Sequence, residues 1–207
     1  MTNIAVIFYS STGTNEATAR AVAEGAEGTG ADVRIRRVAE NAPREAVEGN
    51  PAWQAWLDGP AQDIDVATLD DLEWADGVAF GTPTRYGNVT AQLKAFLDST
   101  GPLWAQGLLA DKTFTGFTSA VNAHGGNEST LLALYNTMHH WGGIVVAPGY
   151  TDPSLFAAGG NPYGTSHATG EQGDPATAEV LTAARHQGRR LADVTARLNQ
   201  DSGRLAA

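Results

Sequence analysis

Short apolar runs alternate with longer amphipathic segments along this chain of 207 residues. The first run is almost continuously apolar, which is typical of a central strand in a parallel sheet, and an alanine-rich helical pattern follows it. Repeated strand–helix units with right-handed crossovers predict an α/β fold, a doubly wound five-stranded parallel sheet with helices on both faces. The predicted strands are residues 3–9, 32–38, 77–81, 113–120 and 144–147, and the predicted helices are 15–29, 67–75, one capped by Asn88, 127–140 and one from Pro175 to about Asn199.

Two segments are longer than this architecture requires. Residues 41–66 contain three prolines together with Trp53 and Trp56, and residues 150–173 are rich in glycine. Loops of this length are usually functional or disordered, and tryptophan argues against disorder. We therefore expect residues 1–200 to form a single domain with insertions at about 41–66 and 150–173 that contact partner subunits. Residues 201–207 are expected to form a frayed tail.

The charge and the cysteine content exclude several classes of function. The net charge of −10 disfavours nucleic acid and anionic membranes as partners. Without cysteine there is neither a disulfide nor a thiolate metal ligand, and the five histidines lack metal-site spacing, so no metal is expected. No apolar stretch approaches the roughly 20 residues of a membrane span, and the first residues lack a signal-peptide pattern. A cytoplasmic location is therefore expected.

The most informative motif follows the first strand, where four hydroxyl side chains surround one glycine before a helix begins. A helix N-terminus attracts phosphate through its free N–H groups and its dipole. The loop lacks the lysine of a Walker loop and the further glycines of a dinucleotide fingerprint, and it contains no cation. We expect an anchored mononucleotide phosphate; the alternative is an ordinary strand-to-helix turn capped by Thr14 or Asn15. The candidate residues are Ser10, Ser11, Thr12, Gly13, Thr14 and Asn15.

Two further loops are expected at the same edge of the sheet, because parallel strands end together. The loop after the third strand offers surface for a planar ring and one cation, Arg85, although Arg85 and Tyr86 can also be ordinary surface residues. The loop after the fourth strand has a double glycine before a helix. The candidate residues are Pro83, Thr84, Arg85, Tyr86 and Gly87 in the first of these loops and Ser119, Ala120, Val121, Asn122, His124, Gly125 and Gly126 in the second.

Four segments carry a resemblance to a known family. The chain resembles flavodoxin-like FMN proteins, and among them the WrbA-type NAD(P)H:quinone oxidoreductases, over nearly its whole length and least at 41–66. The matching segments are the first loop with the helix at 19–25, the loop at 80–88, the segment 96–104 and the glycine-rich stretch 159–164. The resemblance implies a flavodoxin-like fold, FMN as cofactor, and a homotetramer with FMN sites near the subunit boundaries.

The resemblance also implies a substrate space beside the FMN. Trp104 corresponds to the active-site tryptophan of the family, and the family's histidine aligns with Trp141, one position after His140. Thr12 stands where the family often has a tyrosine that is implicated in nicotinamide contact. We therefore expect Trp104, together with His140 or Trp141, to border the substrate, and we assign no catalytic residue.

The residues and the resemblance together predict an FMN-dependent oxidoreductase that transfers two electrons from NAD(P)H to a quinone. One alternative is a flavodoxin-type electron carrier, whose flavin meets protein partners instead of small substrates. A second alternative is an FMN-binding structural or regulatory protein. The choice between NADH and NADPH, and the identity of the quinone, stay open at this point.

Overall fold

The computed structural model describes residues 1–205, and for residues 201–205 it describes the backbone alone. The strands are β1 (Asn3–Phe8), β2 (Asp32–Arg37), β3 (Gly77–Pro83), β4 (Thr113–Ala120), β5 (Ile144–Val145) and β6 (Ser166–Ala168). The first five form a parallel sheet in the order β2-β1-β3-β4-β5, which confirms the predicted doubly wound, flavodoxin-like arrangement. Because β1 and β3 are neighbours, the loops that follow them leave the sheet side by side.

Both faces of the sheet are covered by helices. The helices are α1 (Thr14–Glu27), α2 (Arg44–Glu48), α3 (Pro51–Asp58), α4 (Leu69–Trp74), α5 (Ala91–Asp98), α6 (Gly101–Ala105), α7 (Asn127–His140), α8 (Ser154–Ala157) and α9 (Ala178–Leu205). Along β1, Ile4, Val6 and Phe8 pack with α1 and α9, whereas Ala5 and Ile7 pack with α4, α5 and α7. Burial of alternate residues in two separate clusters explains why this strand is almost continuously apolar.

The fifth position of the sheet is divided between two short strands. β5 pairs with Thr113 and Phe114 at the start of β4, and β6 pairs with Thr118 to Ala120 at its end. Between them the chain leaves the sheet over residues 146–165 and forms α8. The strand predicted at 144–147 is therefore shorter than expected, and the glycine-rich segment contributes a sixth strand that the sequence pattern did not indicate.

The segment 41–66 is structured and folds against its own chain. It contains α2, α3 and a short 3₁₀ turn (Pro60–Asp63). The Asn50 side chain accepts hydrogen bonds from the first-turn amides of α3, and Pro51 occupies the first helical position. Trp56 is only 7% exposed and packs against α1. The expectation that this segment contacts a partner subunit therefore loses the support it drew from Trp56.

Two helices begin at other residues than predicted. The cap of α5 is Thr90, whose Oγ1 accepts from the Leu93 amide at 3.3 Å, and not Asn88, whose backbone pairs with Arg85. The hydroxyl of a residue two positions further along the chain therefore caps the helix in place of the Asn88 side chain.

The start of α9 is Ala178 and not the predicted Pro175. Thr177 Oγ1 accepts a hydrogen bond from an amide of the first turn at 3.4 Å. Asp174 lies in a separate turn before the helix, which its amide closes by donating to Thr169 O at 2.6 Å. Asp174 and Pro175 therefore lie in the loop that precedes α9.

The end of α9 is Leu205, beyond the predicted end near Asn199. The frayed tail expected at residues 201–207 overlaps this last part of the helix, and residues 206–207 lie outside the described part of the chain. The tail, like the single-domain boundaries, stays a prediction.

Candidate functional site

A crevice of about 380 Å³ opens at the carboxyl edge of the sheet. It is formed by the loops after β1, β3 and β4 and by the segment after β6, as expected for a ligand site in a doubly wound sheet. Most of the residues predicted from sequence meet here. The lining residues are Ser10, Ser11, Thr12, Thr14, Pro83, Thr84, Arg85, Ser119, Ala120, Val121, Asn122, Gly125, Thr169 and Gly173.

The loop after β1 presents unused hydrogen-bond donors to this crevice. Gly13 is the N-cap of α1 at φ 90°, and Ser10 Oγ accepts from the Gly13 amide at 3.0 Å. Among the described residues, no protein acceptor is bonded to the amides or the hydroxyls of Ser11, Thr12 and Thr14. Three amides and three hydroxyls at a helix N-terminus make an anion site that needs no cation in the loop.

Gly13 and Asn15 belong to this loop but do not line the crevice. Asn15 is 1% exposed, and its Nδ2 donates to Tyr9 O at 3.2 Å, which ties the start of α1 to the end of β1. A Cβ on Gly13 would lie 2.9 Å from Trp56 Cδ1, so an indole ring is packed directly against the loop. Gly13 and Asn15 therefore stabilise the loop through contacts on the side away from the crevice lining.

Trp56 also contacts a carboxylate in the first turn of α1. Its Nε1 donates to Glu16 Oε2 at 3.1 Å. Arg20 binds the other oxygen, with Nε and Nη2 each 2.8 Å from Glu16 Oε1. Both oxygens of Glu16 are thus engaged, and Glu16 is absent from the crevice lining.

The loop after β3 is a tight turn held by its own backbone. Arg85 N donates to Asn88 O at 2.8 Å, and Asn88 N donates to Arg85 O at 3.0 Å. Between them Tyr86 has the left-handed value φ 53°, and its side chain is fully exposed. Gly87 donates its amide to Thr84 Oγ1 at 3.2 Å. Tyr86 and Gly87 therefore do not line the crevice, whereas Arg85 does.

The loop after β4 closes against the β3 loop. Thr84 N donates to Ser119 O at 2.8 Å, and Gly126, at φ 92°, lies so close to Gly87 that a Cβ would be 2.7 Å from Gly87 Cα. His124 is exposed, and its amide donates to Asn122 Oδ1 at 3.0 Å. His124 and Gly126 thus support the loop without lining the crevice.

A fourth wall, formed by Thr169 and Gly173, was not predicted from sequence. Thr169 N donates to Ala120 O at 2.8 Å, which continues the pairing of β6 with β4. His167, only 5% exposed, places Nε2 2.9 Å from Asp174 O and holds the far side of the turn. The signal in the sequence was the pair of glycines at 170 and 173, but the three-residue strand that brings them to the crevice was too short to recognise.

A half-buried carboxylate, Glu40, binds the side chain of Tyr9 directly after β1. Glu40 accepts hydrogen bonds from Tyr9 Oη (2.7 Å), Trp53 Nε1 (2.9 Å), Gln92 Nε2 (2.7 Å) and the Ala42 amide (2.9 Å). Burial raises the pKa of the Glu40 carboxyl, but these hydrogen bonds outweigh burial, and the pKa lies below its usual range. Burial, together with the Glu40 charge, raises the pKa of Tyr9.

The three predicted substrate residues lie at the opposite edge of the sheet. The 14 residues of α7 extend about 20 Å from the crevice to His140. Trp104 is 57% exposed, and its Nε1 donates to His140 O at 3.1 Å. Trp141 is 7% exposed and packs against Phe80 and Phe114, with ring centroids 6.3 and 5.5 Å away. Trp141 is therefore a core residue, which corrects its predicted role, and Trp104 and His140 do not border the crevice of their own chain.

Two further observations bear on chemistry and location. Among the side chains of residues 1–200, no three His, Asp or Glu gather in a group that could hold a metal ion. No helix in that range combines the length and the apolar character needed to cross a bilayer.

Comparison with known proteins agrees with this geometry. The model of the NADPH-dependent FMN reductase family matches residues 2–152. A protein from Deinococcus radiodurans named NAD(P)H dehydrogenase (quinone) is 46% identical over 195 residues, which span 94% of this chain and 96% of the relative. A protein of the same name from Sinorhizobium fredii is 42% identical over 96% of this chain and 99% of its own length.

A solved structure with the same fold is a flavodoxin, WrbA-like protein from Agrobacterium tumefaciens. It has a TM-score of 0.66 and 25% identity, with 95% of this chain and 99% of that chain covered. These findings confirm the resemblance to flavodoxin-like, WrbA-type proteins. The chain belongs to the NADPH-dependent FMN reductase family.

Proposed function

We propose that this protein is an FMN-dependent NAD(P)H dehydrogenase (quinone), which transfers two electrons from NAD(P)H to a quinone. The observation that carries the proposal is the crevice at the carboxyl edge of the sheet. At the start of α1, the amides and hydroxyls that face it have no partner among the described residues. The names of the relatives from Deinococcus radiodurans and Sinorhizobium fredii support the same reaction.

The phosphate end of FMN fits the loop after β1. The free amides and hydroxyls of Ser11, Thr12 and Thr14 are the donors that a terminal monophosphate accepts from, and the N-terminus of α1 adds its dipole. Because this loop has no cation, it suits a phosphate that stays bound and is not transferred. Ser10 stabilises the loop, because its Oγ accepts a hydrogen bond from the Gly13 amide.

The flavin ring fits the space between the other loops. Pro83, Ala120 and Val121 supply apolar surface, and a crevice of about 380 Å³ is in the size range of cofactor sites. When bound there, FMN supplies the hydride and two-electron chemistry that amino acid side chains lack. Arg85 contributes a positive charge at the crevice, which favours negative charge on a ligand beside it. The role of the chain is to bind, to orient and to set this electrostatic environment.

Spectroscopy and kinetics test the proposed reaction. The purified protein reconstituted with FMN should oxidise NADH or NADPH rapidly only when benzoquinone is present, and initial rates should give the parallel lines of a ping-pong course. A comparison of NADH with NADPH identifies the preferred donor. If neither nucleotide reduces the protein-bound flavin while a reduced ferredoxin-type protein does, the electron carrier is correct and the enzyme is not.

We also infer a homotetramer in which Trp104 and His140 of a neighbouring copy complete the crevice. These two side chains lie about 20 Å from the crevice of their own chain, so only a second subunit can bring them to a bound substrate. Exposed aromatic side chains on the surface support association: Trp104 is 57% exposed, and Tyr150 and Phe156, which stack at 4.9 Å, are 57% and 63% exposed. The cytoplasmic location stays a prediction.

Light scattering of the FMN-loaded protein tests the assembly. A tetramer is expected, and Trp104→Ala should lower quinone turnover while the FMN dissociation constant of the variant stays close to that of the wild type. A monomeric particle with full quinone reductase activity would contradict both the assembly and the proposed position of Trp104.

A further inference from the structure

The phosphate loop and the insertion at 41–66 are joined by one side chain, Trp56. Its indole ring is 7% exposed and lies against Gly13, which has a left-handed conformation at φ 90°. A Cβ at position 13 would approach Trp56 Cδ1 to 2.9 Å, so the ring and the loop are in full contact with no room between them. The conformation of the loop that carries Thr12 and Thr14 is therefore supported by a residue of the insertion at 41–66.

Trp56 also determines where a negative charge lies near this loop. Glu16 is in the first turn of α1, at the helix end where a phosphate binds, and a free carboxylate there repels a phosphate. Trp56 Nε1 holds Oε2 at 3.1 Å and Arg20 holds Oε1 at 2.8 Å, and the Glu16 side chain is 15% exposed. The carboxylate is thus fixed and paired with a cation outside the crevice.

We propose that Trp56 is a positioning residue for the cofactor phosphate, which acts by packing against Gly13 and by holding the Glu16 carboxylate against Arg20. The proposal rests on the FMN binding proposed above. It assigns a function to the insertion, since α3 carries Trp56 to the loop. Because Trp56 contacts the phosphate loop and the first turn of α1 but does not line the crevice, it should affect FMN, which has the phosphate, and not riboflavin, which lacks it.

Titration of the apoprotein with FMN and with riboflavin, followed by flavin fluorescence, tests this directly. Trp56→Phe retains an aromatic ring and removes the N–H, and we expect the FMN dissociation constant to rise about tenfold, as for loss of a hydrogen bond to a charged group. The riboflavin constant should change by less than about twofold. An equal change for both ligands, or no change for FMN, overturns the proposal.

Trp53→Phe is the matched control. Trp53 is on the same helix and also donates its indole N–H to a carboxylate, Glu40, but has no hydrogen bond to the phosphate loop. The Trp53→Phe variant should have the same ratio of FMN affinity to riboflavin affinity as the wild type. If Trp53→Phe lowers the ratio as much as Trp56→Phe, the effect comes from loosening of α3 and the specific role of Trp56 is wrong.

A double-mutant cycle tests whether Trp56 acts through Glu16. In the Glu16→Gln background no carboxylate can be released, so Trp56→Phe should weaken FMN by no more than about threefold. If Trp56→Phe does not fold, Arg20→Gln provides the test, because Arg20 is half-exposed and its loss frees the same carboxylate. Arg20→Gln should weaken FMN about threefold and leave riboflavin unchanged, and a folded Arg20→Gln variant with wild-type FMN affinity contradicts the role of Glu16.

The two proposals fail in different ways. If the wild-type apoprotein binds riboflavin as tightly as FMN, the phosphate site itself is wrong, and the proposed function loses its cofactor argument. If the wild type prefers FMN and Trp56→Phe keeps that preference unchanged, only the positioning role is wrong.

Discussion

The loops after β1 and β3 border the same crevice but are stabilised in different ways. The β1 loop is fixed by buried contacts: Ser10 Oγ binds the Gly13 amide, and the ring of Trp56 covers Gly13 from behind. The β3 loop is a local turn in which Tyr86 has φ 53° and projects fully into solvent. The first loop is therefore preorganised for a ligand by its own chain, whereas the second carries an exposed aromatic side chain that its own chain does not cover.

The insertion at 41–66 accounts for much of this difference. It supplies Trp56 to the β1 loop, and it supplies Trp53 to the hydrogen-bond network of Glu40, which also binds Tyr9 at the end of β1. In the part of the chain that the structure describes, no such segment covers Tyr86, whose side chain is fully exposed. A bound anion should therefore depend on the β1 loop much more than on the β3 loop.

The largest expected effect comes from a charge in the β1 loop. Thr12 lines the crevice with its amide and hydroxyl unbonded, so Thr12→Glu places a carboxylate beside the phosphate. We expect the FMN dissociation constant to rise at least about a hundredfold, or about 3 kcal/mol, while riboflavin binding is retained. Titration of the apoprotein with both ligands measures this.

Thr12→Gln is the control for that substitution, because it adds similar bulk without charge. It should weaken FMN by no more than about threefold. If Gln and Glu weaken FMN equally, or if riboflavin is lost as well, the loop is not an anion site and the contrast between the two loops disappears.

The second-largest effect is expected on the free energy of unfolding, when the hydrogen bonds of Glu40 are changed. Glu40→Gln leaves buried donors facing an amide group, and we expect the free energy of unfolding at pH 7 to fall by about 2 kcal/mol. The exposed Glu45→Gln, on α2, should change it by less than about 0.5 kcal/mol. Urea denaturation of the two variants and the wild type provides the comparison.

The same network predicts a pH dependence. The pKa of Glu40 is lowered in the folded protein, so its contribution is present above the unfolded pKa of about 4.3 and is lost as the pH falls through the lower folded pKa. The difference in stability between the wild type and Glu40→Gln should therefore shrink as the pH falls below about 4.3 and through the folded pKa. A difference that stays constant over this range would show that the charge of Glu40 is not what stabilises the network.

The smallest effect is expected in the β3 loop. Asparagine tolerates the left-handed conformation better than tyrosine does, so Tyr86→Asn should stabilise the apoprotein by about 0.5 kcal/mol, or about 1–2 °C in Tm. Calorimetry of the apoprotein detects a shift of this size. A clear loss of stability would instead mean that the Tyr86 ring is buried against another copy of the chain.

The sequence predicted the sheet well because burial on both faces leaves a strong signal. Every second residue of β1, from Ile4 to Phe8, packs in one cluster and the residues between them pack in the other, so the run is apolar throughout. The ends of helices were less well predicted. Asp174 and Pro175 have the residue types of a helix start, but the bond from Asp174 N to Thr169 O uses them in a turn. Which of several capping residues is used depends on tertiary contacts that the sequence does not record.

The part of the site that follows the long strands was predicted from the sequence, and the part that depends on tertiary contacts was not. Residues directly after β1, β3 and β4 reach the crevice because strand ends are fixed by the sheet, whereas Thr169 depends on a strand of only three residues. Trp104 and His140 were expected near the crevice from the resemblance, but the length of α7 separates them from it within one chain. The Asn50-Pro51 pair has the residue types of a helix start, and α3 begins there.

The divided fifth position of the sheet has a consequence for the motion of the crevice. Three walls follow β1, β3 and β4, which lie inside the sheet, but the wall with Thr169 is attached through the three residues of β6. Opening of that wall is a local unfolding event, and its free energy lies below the global value. A ligand that contacts Thr169 raises this free energy in proportion to the logarithm of its concentration. Ligand concentration therefore sets the fraction of molecules in which the fourth wall is closed, and amide hydrogen exchange at Thr118 and Thr169 measures it.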